Sequence, residues 1–141
     1  MSQGQADFLE NVRAVAERSG KYDLHAYLFV FEALEYTLKK AGKRRHVTGR
    51  ELLQGIRAFA LLNFGRMGKM VFNQWGITET LDFGKIVFSL VDAGLMSKTE
   101  TDSLEDFAGG FDFEEVFERS YIPADIPPSG QSGGGKRAKN A

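Results

Sequence analysis

The chain has 141 residues, of which 43% are hydrophobic and 26% charged, with a net charge of −1. That length suits one domain around one core, and the composition is ordinary for a globular protein. The absence of cysteine excludes disulfides, thiolate metal sites and cysteine nucleophiles.

The small net charge conceals a division. Met1 to Met70 carries twelve Lys/Arg against seven Asp/Glu, residues 71–125 carry three against twelve, and residues 126–141 carry three and none. A chain divided in this way either pairs its halves with each other or offers them to two partners. Its 12 phenylalanines, against 4 Tyr and 1 Trp, are expected in the core, because that much exposed aromatic area would make a small monomer adhesive.

"MSQGQADFLENV" has no basic stretch followed by an apolar run, so no secretory signal is expected. No segment approaches the roughly 18 consecutive apolar residues of a membrane span. The expected location is the cytoplasm.

In chain order, Phe8, Leu9, Val12, Val15 and Ala16 predict an amphipathic helix from about Ala6 to Ser19, closed by Gly20. Asp23 is an N-cap, with Tyr22 and Tyr27 placed as a hydrophobic staple. The helix after it runs to Lys40 with Leu24, Leu28, Phe31, Leu34 and Leu38 on its predicted core face. Gly42 terminates it. Thr48 and Glu51 form a capping box for a third helix, flanked by the staple pair Val47 and Leu52 and ending at Gly65.

A shorter helix over 66–75, ended by Gly76, is expected to bury Met67, Met70, Val71 and Trp75. Thr80 is the expected cap of the next, whose face is Phe83, Ile86, Val87 and Leu90. Residues 95–110 read either as a short helix capped by Ser97 with Glu100, or Asp102 with Glu105, or as an acidic loop. Asp112 and Glu115 then make another capping box, with Phe111 and Val116 as its staple. From Ile122 the text is rich in Pro, Gly and Ser and is expected to be disordered.

The expected fold is all-α: one domain over residues 5–121, built from five or six short helices, with a basic tail over 122–141. A winged-helix variant, with residues 95–113 as the wing, is the alternative.

"YDLHAYLFVFEALEYT", "RRHVTGRELLQGIR" and "WGITETLDFGKIVFSLVDAGLMSKTETDSLEDF" together resemble a family of uncharacterised small proteins restricted to planctomycetes and verrucomicrobia. The resemblance covers Tyr22 to Phe117. It implies a bacterial source and a self-contained domain, and it carries over no site residues.

Catalytic chemistry finds little purchase. His25 and His46 fall on different elements without metal-ligand spacing, and the acids from Asp102 onward do not follow a calcium loop, so no metal and no cofactor are expected. There is no G-x-S-x-G elbow, and the serines of "PSGQSGG" lie in the tail where no base can be held against them. No catalytic residue is assigned. A small enzyme or ligand sensor with a pocket beside His25 and Tyr36 is the third reading.

"GRMG", Gly65 to Gly68, matches the turn with which KH domains clamp a nucleic-acid backbone, but no strands accompany it. "MVFNQWGITETLDFGKIVFSLV" has helix-turn-helix form, yet its second helix offers only Lys85 among Asp82, Ser89 and Asp92, a poor reader of base edges.

The strongest signal is "KKAGKRRHVTGRE", with six cations and one acid in thirteen residues. Complementing a helix C-terminus accounts for Lys39 and Lys40, not for the charges that follow. Lys40, Lys43, Arg44, Arg45 and Arg50 are therefore the expected polyanion contacts, with Arg66 and Lys69 peripheral, Arg57 two turns beyond Arg50, and Lys136, Arg137 and Lys139 in a basic arm. The expected function is a non-enzymatic binding module whose partner is RNA or the ribosome, bound without sequence readout. The alternative is a protein–protein adaptor that uses Glu100, Asp102, Glu105, Asp106 and Phe107, with Phe111, Phe113 and Phe117, to dock a basic protein or a second copy.

Overall fold

Five α-helices carry the chain: α1 (Gln3–Ser19), α2 (Leu24–Ala41), α3 (Gly49–Phe64), α4 (Gly68–Gln74) and α5 (Thr80–Asp92). They are seen in a computed structural model that describes residues 2–42, 47–97 and 103–121. A 3-10 turn (Gly65–Met67) links α3 to α4, a second covers Leu104–Phe107, and a π-helical turn covers Glu115–Arg119. Among the described residues there is no strand. The fold is all-α, and the winged-helix alternative has no strand there to build its wing. The predicted tail, residues 122–141, lies outside the described residues.

Helices begin where a side chain can accept the unpaired amides of a first turn. The Thr48 hydroxyl accepts from the Glu51 amide at 3.1 Å while the Glu51 carboxylate accepts from the Thr48 amide at 2.8 Å. Asp23 accepts from the His25 amide at 2.8 Å, as its spacing predicts. Helix α1 starts earlier than its apolar pattern because Ser2 and Gln5 form a capping box that periodicity does not register. Gly42 closes α2 in the left-handed conformation, φ 75°, which a side chain would oppose.

Thr80 is not the cap of α5. The Glu79 amide donates to Asp82 at 3.2 Å. Thr80 instead is buried, donating its hydroxyl to the Phe107 carbonyl at 2.6 Å and accepting from the Gly110 amide at 2.9 Å. It thereby ties the segment over 103–110 to the start of α5.

Helix α2 packs against α1, α3 and α5, and its buried face differs from the predicted one. Ala26, Tyr27, Phe29, Val30 and Ala33 are buried, whereas Leu24, Leu28, Phe31 and Leu34 are half-buried at the core's edge. Small Ala26 and Ala33 let neighbouring helices come close. Gly55 of α3 does the same from the other side: a Cβ there would lie 1.7 Å from the Thr37 hydroxyl of α2.

Phe72 is the hub of the core. Its ring centroid lies 5.0 Å from that of Phe83, 5.1 Å from Phe113 and 5.6 Å from Phe117. Each such ring, fully buried, contributes on the order of 2–3 kcal/mol of transfer free energy. This overturns the expectation for the two methionines of this segment, while Trp75 packs against the core and Val71 is half-buried. Phe72 is the buried side chain of α4, while Met67 and Met70 are 49% and 54% exposed. The Asp112 carboxylate caps the Glu115 amide at 2.9 Å, one half of the predicted box, while the Glu115 carboxylate turns to Arg119 instead. The turn after it brings Phe117 over Gly68, where a Cβ would lie 2.5 Å from the ring.

Candidate functional site

The basic stretch spans the end of α2, the connection, and the first turn of α3. Lys43, Arg44, Arg45 and His46 lie outside the described residues. At the α2 end, Lys39 meets Glu35 at 3.6 Å with both side chains exposed, a pair worth little in solvent. Lys40 stands over the Tyr36 ring, 5.7 Å from its centroid. The capping box of α3 then fixes Arg50 in the first turn, where it is exposed and makes no ion pair among the described residues.

Arg50 borders a cleft of about 200 Å³ with Glu51, Leu53, Gln54 and Gly110. Glu51 is already engaged by the Thr48 amide, so the guanidinium is the free charge on that rim. Arg57, also exposed, follows two turns later on the same helix face, about 10 Å further along the axis.

Arg66 and Lys69 do not join this group. They follow the far end of α3, about 24 Å from Arg50 at 1.5 Å per residue. Arg66 stacks over Tyr121 at 5.3 Å, and Lys69 borders a separate cleft of about 370 Å³ with Met70, Asn73, Gln74 and Glu118. The intervening glycines do not form a phosphate clamp. Gly65 faces the Tyr121 hydroxyl and Gly68 faces the Phe117 ring, so the space a side chain would need is filled by the protein's own aromatics.

The aromatic part of the acidic docking surface is core rather than surface. Phe107 is 1% exposed, Phe113 5% and Phe117 0%, and Phe111 is half-buried against them. Phe107 presses on Gly49 and Gly84, where a Cβ would approach its side chain within 2.8 Å. Asp106 accepts from the Ser103 amide at 2.8 Å, which makes it a local cap. Glu105 is exposed. Glu100 and Asp102 lie outside the described residues.

His25 is exposed, with Nδ1 2.7 Å from the Asp23 carboxylate and its ring stacked on Trp75 at 6.5 Å. The His25 backbone amide and then its ring hold the Asp23 carboxyl below the usual range. Tyr36 lies eleven residues further along α2, about 16 Å away, packed against Phe59. The two do not converge on one pocket. Among the described residues no three His, Asp or Glu side chains are grouped to hold a metal ion.

One charged group is not singled out by its sequence. Asp82, 3% exposed, accepts from the Tyr22 hydroxyl at 2.5 Å and from the Thr78 amide at 2.9 Å. Burial pushes its carboxyl up, but the Tyr22 hydroxyl, the Thr78 and Glu79 amides and nearby Lys21 outweigh burial and bring it below the usual range. Burial and the same carboxylate push Tyr22 above the ordinary tyrosine range. Both groups are sealed from solvent and satisfied by each other, which makes the pair a structural tie. Its one local signal is the T-E-T-x-D run before α5, which invites capping by Thr80 instead.

Every ion pair among the described residues is local: Glu10–Arg13, Asp23–His25, Glu35–Lys39 and Glu115–Arg119. None joins the basic N-terminal half to the acidic C-terminal half. Among the described residues no helix is long and apolar enough to cross a membrane. No protein-family model, curated protein or solved structure matches the chain.

Proposed function

We propose that the chain is a non-enzymatic binding module of the bacterial cytoplasm whose basic half contacts a phosphate-rich polyanion, with RNA, the ribosome's included, as its class of partner. The supporting observation is the locality of the ion pairs. Twelve cations fall in the first seventy residues, and none of those among the described residues forms an ion pair with the other half. Lys21, near enough to lower the Asp82 carboxyl, is the one that acts across the division. Such cations gain from phosphate contact by releasing the counterions condensed on the polymer. Lys40 and Arg50 bracket Lys43, Arg44 and Arg45 in sequence, and Arg57 prolongs the row along α3. Arg66 and Lys69 contribute peripherally. The set is lysine and arginine alone, acting as phosphate contacts that carry no sequence information, so the binding proposed follows charge and shape. The acidic half repels the same polymer and orients the module on it.

The test is binding of the full chain to mixed cellular RNA across a salt series. Arg44→Glu/Arg45→Glu and Arg50→Glu/Arg57→Glu are each expected to weaken binding and to flatten the log–log salt slope, by roughly one for every phosphate no longer neutralised. Affinity and slope unchanged in both variants would sink the reading.

A further inference from the structure

The junction of α3 and α4 leaves large apolar side chains uncovered, with Met70 on the outer face of α4. Five large apolar side chains are exposed among the described residues. Three of them, Leu62 at 59%, Met67 at 49% and Met70 at 54%, fall around the α3–α4 junction. Gly68 and Phe72 turn inward, while Met70, Asn73 and Gln74 are exposed and Lys69 is half-buried. Burying three such side chains is favourable, and methionine's unbranched chain adapts to an imperfectly matched surface.

The charges beside this patch indicate what covers it. Lys69 and Glu118 border the same cleft of about 370 Å³, yet no ion pair joins them. Glu115 and Arg119, next to Glu118, take each other at 3.2 Å. The lining of this cleft holds one cation and one anion around Met70, neither in an ion pair among the described residues, and Arg66 beside Met67 is turned to the Tyr121 ring. A face of that kind can complement itself under a two-fold rotation. A polyanion reaching Lys69 from the basic half would be opposed by Glu118 and gain nothing from the methionines, so it makes no more than a peripheral contact here. A peptide of single charge sign would oppose one of the two side chains.

We propose that the outer face of α4 is a two-fold interface between two copies of this chain. Met67 and Met70 pack across the axis, and Lys69 pairs with the partner's Glu118 on both sides. Asn73 and Gln74 supply rim hydrogen bonds.

Sedimentation equilibrium of the full chain, without RNA, over a concentration series tests this independently of polyanion binding. The wild type is expected to show a reversible monomer–dimer equilibrium. Met70→Glu is expected to raise the dissociation constant by roughly tenfold or more. Lys69→Glu and Glu118→Lys are each expected to weaken the dimer, and the double variant to recover most of the loss, because the swapped charges meet again across the axis. These side chains lie on the surface, so circular dichroism should match the wild type throughout. A wild type that stays monomeric at every concentration would overturn the proposal. So would a dimer that the three single variants leave unmoved, or a double variant as weak as its parents combined.

Discussion

The Tyr22 hydroxyl donates to Asp82 at 2.5 Å and joins residues sixty positions apart in the chain. The other carboxylate oxygen accepts from the Thr78 and Glu79 amides at 2.9 and 3.2 Å. One buried acid therefore fastens the α1–α2 connection to the start of α5, and the Asp23 amide reinforces the seam by donating to the Trp75 carbonyl at 3.0 Å.

The direction of the Asp82 shift gives a stability prediction with a definite sign. Its carboxyl sits below the usual range in the folded chain, so the unfolded chain binds its proton more tightly. The stabilisation is complete above the unfolded value, about pH 4, and is lost as pH falls through the lower folded value. Asp82→Asn is expected to cost about 1.5–3 kcal/mol near pH 7, with the gap to wild type narrowing in acid. Thermal unfolding across an acid series measures it. Parallel curves for the two proteins would show that the ionisation of Asp82 is not coupled to folding.

Tyr27 gives the opposite expectation. It is 0% exposed and its hydroxyl meets no hydrogen-bond partner among the described residues, while its ring packs edge-on to Tyr22 at 6.4 Å. Tyr27→Phe removes a desolvated polar atom and keeps the ring, so stability should hold or rise by up to about 1 kcal/mol. Tyr22→Phe, made at the neighbouring ring, should lose about 1.5–3 kcal/mol, because Asp82 keeps its charge and is deprived of a donor. Chemical denaturation of both variants decides the matter, and a matching loss at Tyr27 would refute the assignment of its hydroxyl as unpaired.

The α2–α3 crossing supplies a steric test. With Thr37 Oγ1 1.7 Å and Thr37 Cβ 2.9 Å from where a Gly55 side chain would start, Gly55→Ala has to separate the two helices. Alanine's better helix propensity, worth about 1 kcal/mol, works against that loss. The expected net outcome is still a destabilisation of about 1–3 kcal/mol. Thr37→Ala in the same chain removes the closest clash and should recover part of it. A stabilised Gly55→Ala would show that the crossing has room to spare at this point.

Much of the fold is legible because helix ends are local events. Asp23, Thr48 with Glu51, Asp112 with Glu115, and the glycines at 20, 42 and 65 mark boundaries through contacts within a few residues. The rotation of a helix about its own axis is set elsewhere. Helix α2 is apolar on most sides, so periodicity selects its leucines as the core face, whereas three neighbouring helices bury Ala26, Phe29, Val30 and Ala33. The same limit hides the exposure of Met67 and Met70, since a seven-residue helix contains too few turns for a period to choose its inner side. Of the candidate site, the position of Arg50 follows from its cap. The separation of Lys69 from it depends on the length of α3, and the role of Asp82 depends on a tyrosine sixty residues away.

The burial of Phe107, Phe113 and Phe117 bears on when this protein can fold. Helices α1 to α5 come first in the chain, but the rings that close the core over Phe72 and Phe83 come after them. During synthesis the growing chain therefore carries a half-covered aromatic surface until residue 117 has been added. The domain cannot complete itself before Phe117 is available, which leaves the partial product to be shielded from its neighbours in the meantime.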